Sequence, residues 1–448
     1  MEKTKNGITE GVIWKQLLLF FFPILIGTFF QQLYNTVDTI IVGQFVGTEA
    51  LAAVGTTGTV INLLVGFFVG VASGATVIIS QFYGGHRDED VSKAVHTAAA
   101  MALGCGVLLT VVGIALSPML LRMMGTPEDV MDYALTYMRI YFAVMIPNLI
   151  YNIGSGVLRA VGDSRRPLYF LIAACLTNIV LDVVLVIGLN MGVAGAAWAT
   201  VLSQLLSAIL CTIVGLRKYP VFRTCRADFA GSRIAAARHL RVGFLMGFQM
   251  SVMCIGQLVV QACVNKLGTA AVAGYTAATK VDQLSVLVNT AYQIAISGYA
   301  AQNYGAHRFD RIREGVRASL IQLESVNVLM CAAMLLARRA VVSLFIDAPT
   351  EEVISYAGGY LTAVAPFYIV LGLLIVYRSA VQSMGNSTAP FLACVVELVM
   401  RIGGALGLSR VLGYTGVCFS SPLAWIGATA LLIPFYRREM RKGKNIAA

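Results

Sequence analysis

Apolar residues run along this chain in long stretches, not in the alternation of a half-buried strand or the narrow stripe of a surface helix. A helix that crosses a bilayer takes about 20 of them. Such stretches lie near 14–42, 50–82, 94–116, 131–158, 167–188 and 194–216, then 241–265, 270–302, 316–346, 354–383, 389–410 and 414–436. The pattern predicts an all-α polytopic membrane protein with 12 transmembrane helices in two six-helix lobes.

The two halves repeat each other. Gly47-Thr48-Glu49-Ala50-Leu51-Ala52 matches Gly268-Thr269-Ala270-Ala271-Val272-Ala273, and Gln81-Phe82-Tyr83-Gly84-Gly85-His86-Arg87 matches Gln302-Asn303-Tyr304-Gly305-Ala306-His307-Arg308. Further on, Gly162-Asp163-Ser164 with Pro167 matches Gly385-Asn386-Ser387 with Pro390, and Glu128, Tyr133 and Tyr137 match Glu351, Tyr356 and Tyr360. Six helices per copy is an even number, so both copies start on the same side and the repeat is parallel. The expected division is an N-terminal lobe over 1–216, a basic linker over 217–240 and a C-terminal lobe over 241–448 with a basic tail.

Composition narrows the class. Charged residues make up 12% and hydrophobic residues 58% of the 448, with a mean hydropathy of +0.78. A soluble domain carries about 25% charged residues, so an ordinary soluble enzyme is excluded. The net charge of +11 invites a nucleic-acid reading, but the positions of the charges oppose it. Basic residues gather at alternate connections: Lys3, Lys5 and Lys15; Arg87 and Lys93; Arg159, Arg165 and Arg166; the linker; the 308–317 loop; and the tail. The intervening connections hold only Arg122, Lys266, Arg338, Arg339 and Arg410. That asymmetry puts both termini in the cytoplasm of a cell whose inner (plasma) membrane the chain spans, and it replaces nucleic-acid binding as the explanation of the charge.

The nine cysteines are scattered singly, without the spacing of a zinc site, and read as small buried hydrophobes. The first 18 residues lack the short apolar core and small-residue site of a cleaved signal, so Trp14 and Lys15 are expected to anchor a retained first span. No GxxxxGK[ST] loop appears and no nucleophile sits with a base, so neither nucleotide hydrolysis nor another enzymatic reaction is expected. His86 and His307 recur at equivalent helix ends and read as structural loop residues.

Polar groups inside spans are more informative, since a charge at mid-membrane costs about 2.5–3.5 kcal/mol on insertion scales. Counted from their helix ends, Asp38, Tyr137, Asn178, Asp182 and Thr200 all fall roughly 6–10 Å below the outer surface. Two carboxylates, an amide, a hydroxyl and a phenol at one depth suit a proton or a hard cation such as Na⁺, the latter at Asp38, Asn178, Asp182 and Thr200. Separate satisfaction of each carboxylate by neighbouring hydroxyls is the alternative. Pro23 lies within the first helix and marks either a static bend or a hinge. In the second half, Gln249, Gln257 and Gln261 share one face of the seventh helix, and Lys280 stands beside Asp282. Glu397 and Arg401 are four apart, as in a local ion pair. These residues, Asp282 included, either line a cavity or bond neighbouring helices, and Arg139 and Arg378 read as snorkelling side chains.

The run Gln31-Gln32-Leu33-Tyr34-Asn35-Thr36-Val37-Asp38-Thr39-Ile40-Ile41-Val42-Gly43, the paired Gln81 and Gln302 loops, and Leu158-Arg159-Ala160-Val161-Gly162-Asp163-Ser164 resemble the multidrug and toxic compound extrusion (MATE) family. The resemblance covers almost the whole chain. It implies two six-helix lobes across a V-shaped cavity, and secondary active antiport of cationic or amphipathic organic compounds against inward H⁺ or Na⁺, with no other cofactor, in a monomer embedded among membrane lipids. Asp38, Asn178, Asp182, Thr200 and Tyr137 match the first-lobe polar network of the DinF-like branch, and Pro23 matches the family's bending proline. The seventh helix carries glutamines where the NorM-like branch has a glutamate, a departure that favours a first-lobe site. The alternative is a flippase for lipid-linked oligosaccharide or peptidoglycan precursors, from a related superfamily. A passive channel is a third reading.

Overall fold

The computed structural model describes residues 8–220, 232–336 and 350–447. Most of the expected linker, Arg338, Arg339 and the end of the 316–346 stretch lie outside them. The described chain is a succession of long helices: α1 Ile13–Phe45, α2 Thr48–Gly84, α3 Asp88–Met123, α4 Glu128–Ala143, α5 Met145–Ala160, α6 Arg165–Asp182, α7 Gly192–Lys218, α8 Ser232–Asn265, α9 Thr269–Gly305, α10 Phe309–Leu336, α11 Glu351–Val364, α12 Tyr368–Ser383, α13 Thr388–Gly407 and α14 Ser420–Ala447.

Among the described residues ten spans are long and apolar enough to cross a membrane, and the bent pair α4–α5 supplies an eleventh. The 37-residue α9 has the length of a span but is diluted by Lys280, Asp282, Gln283, Asn289 and Gln293. Lipid-facing side chains such as Leu103, Leu108 and Val111 on α3 are exposed, while the opposite face packs inward. A helix apolar all round is what a bilayer requires.

The sequence repeat reappears as a repeat of backbone conformation. Gly47 and Gly268 precede α2 and α9 with φ of +124° and +101°, and Gly162 and Gly385 take +90° and +89°. His86 and His307 occupy the left-handed region at 54° and 57°. Each histidine follows a helix whose last carbonyls it caps: Gly85 and Ala306 donate to Gln81 and Gln302, and Arg87 and Arg308 to Phe82 and Asn303. Six-to-one closure with a left-handed residue is a Schellman ending. The histidines therefore have a structural role in both copies.

Two helices are shorter or more broken than hydropathy predicts. The 131–158 stretch bends by 52° at Val144, where φ is −120° and ψ 37°. Pro147 lies three residues on and cannot donate to the Ala143 carbonyl, which ends α4. The 414–436 stretch begins with the separate short helix Tyr414–Cys418 after Gly413, at φ +56°, and α14 starts at Ser420.

The described helices form two compact units. The first unit is Phe22–Met250; the second is Met1–Phe21 with Ser251–Ala448. The boundaries fall inside α1 and α8, so each of these helices contributes to both. In the second unit the reason is visible: Arg311 donates to the carbonyls of Ile8 and Gly11 and to Gln16 Oε1, Gln322 donates to the Trp14 carbonyl, and Phe21 stacks on Tyr292. In the first unit, Gly70 and Gly74 of α2 meet Gly247 and Gly243 of α8 so closely that a Cβ on either would stand 2.6–2.7 Å from the opposing Cα. Two glycine pairs at four-residue spacing let backbones touch in lipid, where packing drives association.

Candidate functional site

The first unit gathers five polar side chains from four helices. α1 brings Asp38, α4 Tyr137, α6 Asn178 and Asp182, and α7 Thr200, and all five are buried. Asp182 ends α6, and the chain continues as a π-helical stretch, Val183–Gly188. Such widened turns occur frequently where a helix carries function.

The Asp38 and Asp182 carboxyls face each other closely enough to interact directly. The Tyr137 phenol lies beside Asp38 and the Thr200 hydroxyl, while Tyr34 flanks Asp38 from its own helix. Beyond the carboxyl–carboxyl contact, Asp38 Oδ1, both Asp182 oxygens and both polar atoms of Asn178 are buried with no hydrogen-bond partner. Buried polar atoms are almost always bonded, so this concentration marks a demand for a guest. A proton or a cation shared between the carboxyls would answer it.

Sequence reasoning missed the extension of this cluster. Tyr141 lies beside Gln204, whose Oε1 accepts from Asn148 Nδ2 at 3.1 Å; Asn148 Oδ1 accepts from Asn152 Nδ2 at 3.1 Å. The signal was available, because Gln204 stands one turn after Thr200 and Asn152 one turn after Asn148. Pro23 lies in an unbroken α1, two residues past the end of the segment that belongs to the second unit.

The remaining sites predicted from sequence disperse. Gln249 is buried in the first unit; Gln257 is exposed in the second, and Gln261, half-buried there, donates to Asn265 Oδ1 at 2.8 Å. Lys280 is exposed, whereas Asp282 turns inward and accepts from Tyr360 at 3.2 Å and Tyr368 at 2.5 Å. Residues two apart on a helix do not share a face, which separates the two charges. Tyr360 is the repeat mate of Tyr137, so each copy pairs this tyrosine with an acid, drawn from α1 in one and from α9 in the other.

The local pair is present: Arg401 Nη2 donates to Glu397 Oε1 at 2.9 Å. Arg378 also donates, through Nη2 to Glu397 Oε2 at 2.6 Å, and is buried. That corrects its reading as a snorkelling residue. Its partner comes from a different helix, which no local pattern reveals. Arg139 is exposed.

Repeated six-helix units with polar clusters buried at membrane depth define a multi-pass membrane transporter. The MatE family profile matches residues 23–184 and 246–406, once in each copy of the repeat. The chain belongs to that family, whose members are transporters and not enzymes. It is 28% identical over 444 residues to the probable multidrug resistance protein YoeA of Bacillus subtilis, covering 96% of this chain and 95% of that one. DNA damage-inducible protein F of Escherichia coli is 25% identical over 344 residues, or 75% and 72% of the two chains. A solved structure described as the outward-facing conformation of a multidrug resistance MATE family transporter has a TM-score of 0.93 at 23% identity, over 99% of this chain and 100% of that one.

Proposed function

We propose that this protein is a multidrug exporter of the plasma membrane, with both termini in the cytoplasm, that antiports cationic or amphipathic organic compounds against inward H⁺ or Na⁺. The observation that carries the reading is the acceptor-rich cluster of Asp38, Asn178 and Asp182, buried among membrane-spanning helices with polar atoms left unbonded. Thr200 and Tyr137 supply the neutral oxygens around it. A set of at most two negative charges with neutral oxygens suits a monovalent guest; among the described residues no three His, Cys, Asp or Glu side chains gather as a metal site. The kinship with proteins named for multidrug resistance supports the cargo class.

In this mechanism an ion entering from outside binds between Asp38 and Asp182 and changes which arrangement of α1 is favoured near Pro23. Export then requires that ion and cargo bind the two facing states with different affinities; equal affinities would shift nothing. The two lobes over 1–216 and 241–448 are the moving bodies in this scheme, in a monomer. Gln249, Gln257, Gln261, Asp282, Glu397 and Arg401 are the candidate cavity-lining residues.

The test is transport of ethidium, a fluorescent cation, by the purified protein in proteoliposomes under an imposed pH gradient or an imposed Na⁺ gradient. Accumulation against the dye gradient under one of them identifies the coupling ion. Flux that ignores both gradients would point to a passive pore or to a flippase instead.

A further inference from the structure

The second unit holds a buried side-chain cluster whose own members do not balance its charge. Arg378 of α12 and Arg401 of α13 both donate to Glu397, and all three side chains are at least nine-tenths buried. A guanidinium remains charged at any pH a cell meets, so two of them on one carboxylate leave a net charge of +1 among membrane-spanning helices. The other acids at span depth in this unit lie outside this cluster, and Glu324 keeps one buried oxygen, Oε1, without a partner. Both Asp282 oxygens accept from tyrosines, and Glu324 receives the Asn327 amide. The Nε of Arg378 and that of Arg401 are buried without an acceptor.

A structural brace does not require this surplus. Arg378 with Glu397 already ties α12 to α13, and Arg401, one turn from Glu397 on the same helix, ties nothing more. What Arg401 does instead is face α8. A Cβ on Gly256 would stand 3.2 Å from Arg401 Cδ and 3.5 Å from its Nη1, so the glycine keeps the backbone of α8 clear beside the guanidinium. Val252, Met253, Gly256, Cys394 and Leu398 form with Glu397 and Arg401 a cleft that is apolar except for the ion pair. Its volume of about 10 Å³ is room for about one water, so a larger group enters by parting α8 from α13 at the glycine.

We propose that the Arg378–Glu397–Arg401 cluster is a binding site for a compact anionic oxygen group, a carboxylate carried by the transported molecule. The inference rests on the exporter reading above and extends its cargo to zwitterionic amphipaths. A carboxylate at Arg401 brings the cluster to two positive and two negative charges and supplies the acceptor that the guanidinium lacks, while the apolar walls receive the hydrocarbon beside it. An anionic lipid headgroup shares that chemistry, and the test separates the two sources.

Rhodamine B bears a free carboxylate and its ethyl ester does not; otherwise the dyes are alike. Binding of both to the full-length protein in phosphatidylcholine nanodiscs, read by fluorescence polarisation against empty discs, gives a ratio of affinities that cancels general damage to the fold. The expected ratio is about tenfold in favour of the acid, the worth of one charged hydrogen bond. Arg401→Gln brings the ratio close to one, Arg401→Lys retains part of it, and Gly256→Leu removes it with the charges intact by filling the cleft. Equal binding of acid and ester to the wild type, or an unchanged ratio in Arg401→Gln, overturns the proposal. So does loss of the ratio when phosphatidylglycerol is added to the discs, which would give the site to lipid. The exporter reading is judged separately, since it stands or falls on gradient-driven transport of the ester.

Discussion

The two copies of the repeat place the same tyrosine at the same position and surround it with opposite chemistry. Around Tyr137 the first unit collects hydrogen-bond acceptors and leaves them unfilled: Asp38, Asp182 and Asn178 have buried atoms that bond to nothing else in the described chain. Around Tyr360 the second unit fills its acid, with two phenols on Asp282, and farther along it sets two guanidiniums on Glu397. Duplication supplied the frame, and divergence made one copy acceptor-rich and the other donor-rich. The first is suited to receive a cation; the second holds Asp282 and Glu397 fixed, with one positive charge to spare around Glu397, and leaves only Glu324 Oε1 among its acids unfilled.

This contrast can be broken by substitutions of equal size. Glu397→Gln leaves two buried guanidiniums without a counter-charge, and breaking a buried pair in this way costs about 3–5 kcal/mol. The expected result is a large fall in thermal unfolding temperature in detergent, or failure to accumulate in the membrane. Tyr368→Phe removes one donor from Asp282 and should cost about 1–3 kcal/mol in the same measurement. Asp182→Asn is the matching change in the first unit. It removes a carboxyl that no donor satisfies, so stability should hold or rise while gradient-driven transport is lost, the trade expected where a site is kept at the expense of stability. A destabilisation by Asp182→Asn as large as that from Glu397→Gln would erase the distinction between the units. Smallest of all is Arg87→Ala, which opens an exposed pair with Asp90 and should change unfolding by less than about 1 kcal/mol.

Much of this organisation was legible in the sequence, and the exceptions have a common cause. Span positions followed from hydropathy because a bilayer makes every spanning helix apolar. The repeat followed from matched turns because a left-handed histidine or glycine can be replaced by few residues. Asp38, Tyr137, Asn178, Asp182 and Thr200 could be grouped by depth, since helix rise converts sequence distance into depth, and the structure brings them together. What stayed hidden depended on which helix lies beside which. Arg378, five residues from the end of its helix, gave no sign of the Glu397 that buries it, and Lys280 and Asp282 looked like neighbours until the helix turned them apart. The early end of α4 was readable, however, since Pro147 stands in plain sight. The sharing of α1 and α8 between the two units was not, because it is set by Arg311 and Gln322 from far along the chain and by glycine pairs whose partners are more than 160 residues apart.

In the proposed mechanism the acid pair of the first unit couples ion entry to cargo exit. Its most direct test is the movement of the ion itself: inward H⁺ or Na⁺ flux and outward dye flux measured in the same proteoliposomes, for the wild-type protein and for Asp38→Asn reconstituted at equal density. The two fluxes are expected to rise together in the wild type, and the variant to insert and bind dye but move neither ion nor dye uphill. Wild-type rates of uphill dye export by Asp38→Asn would contradict it.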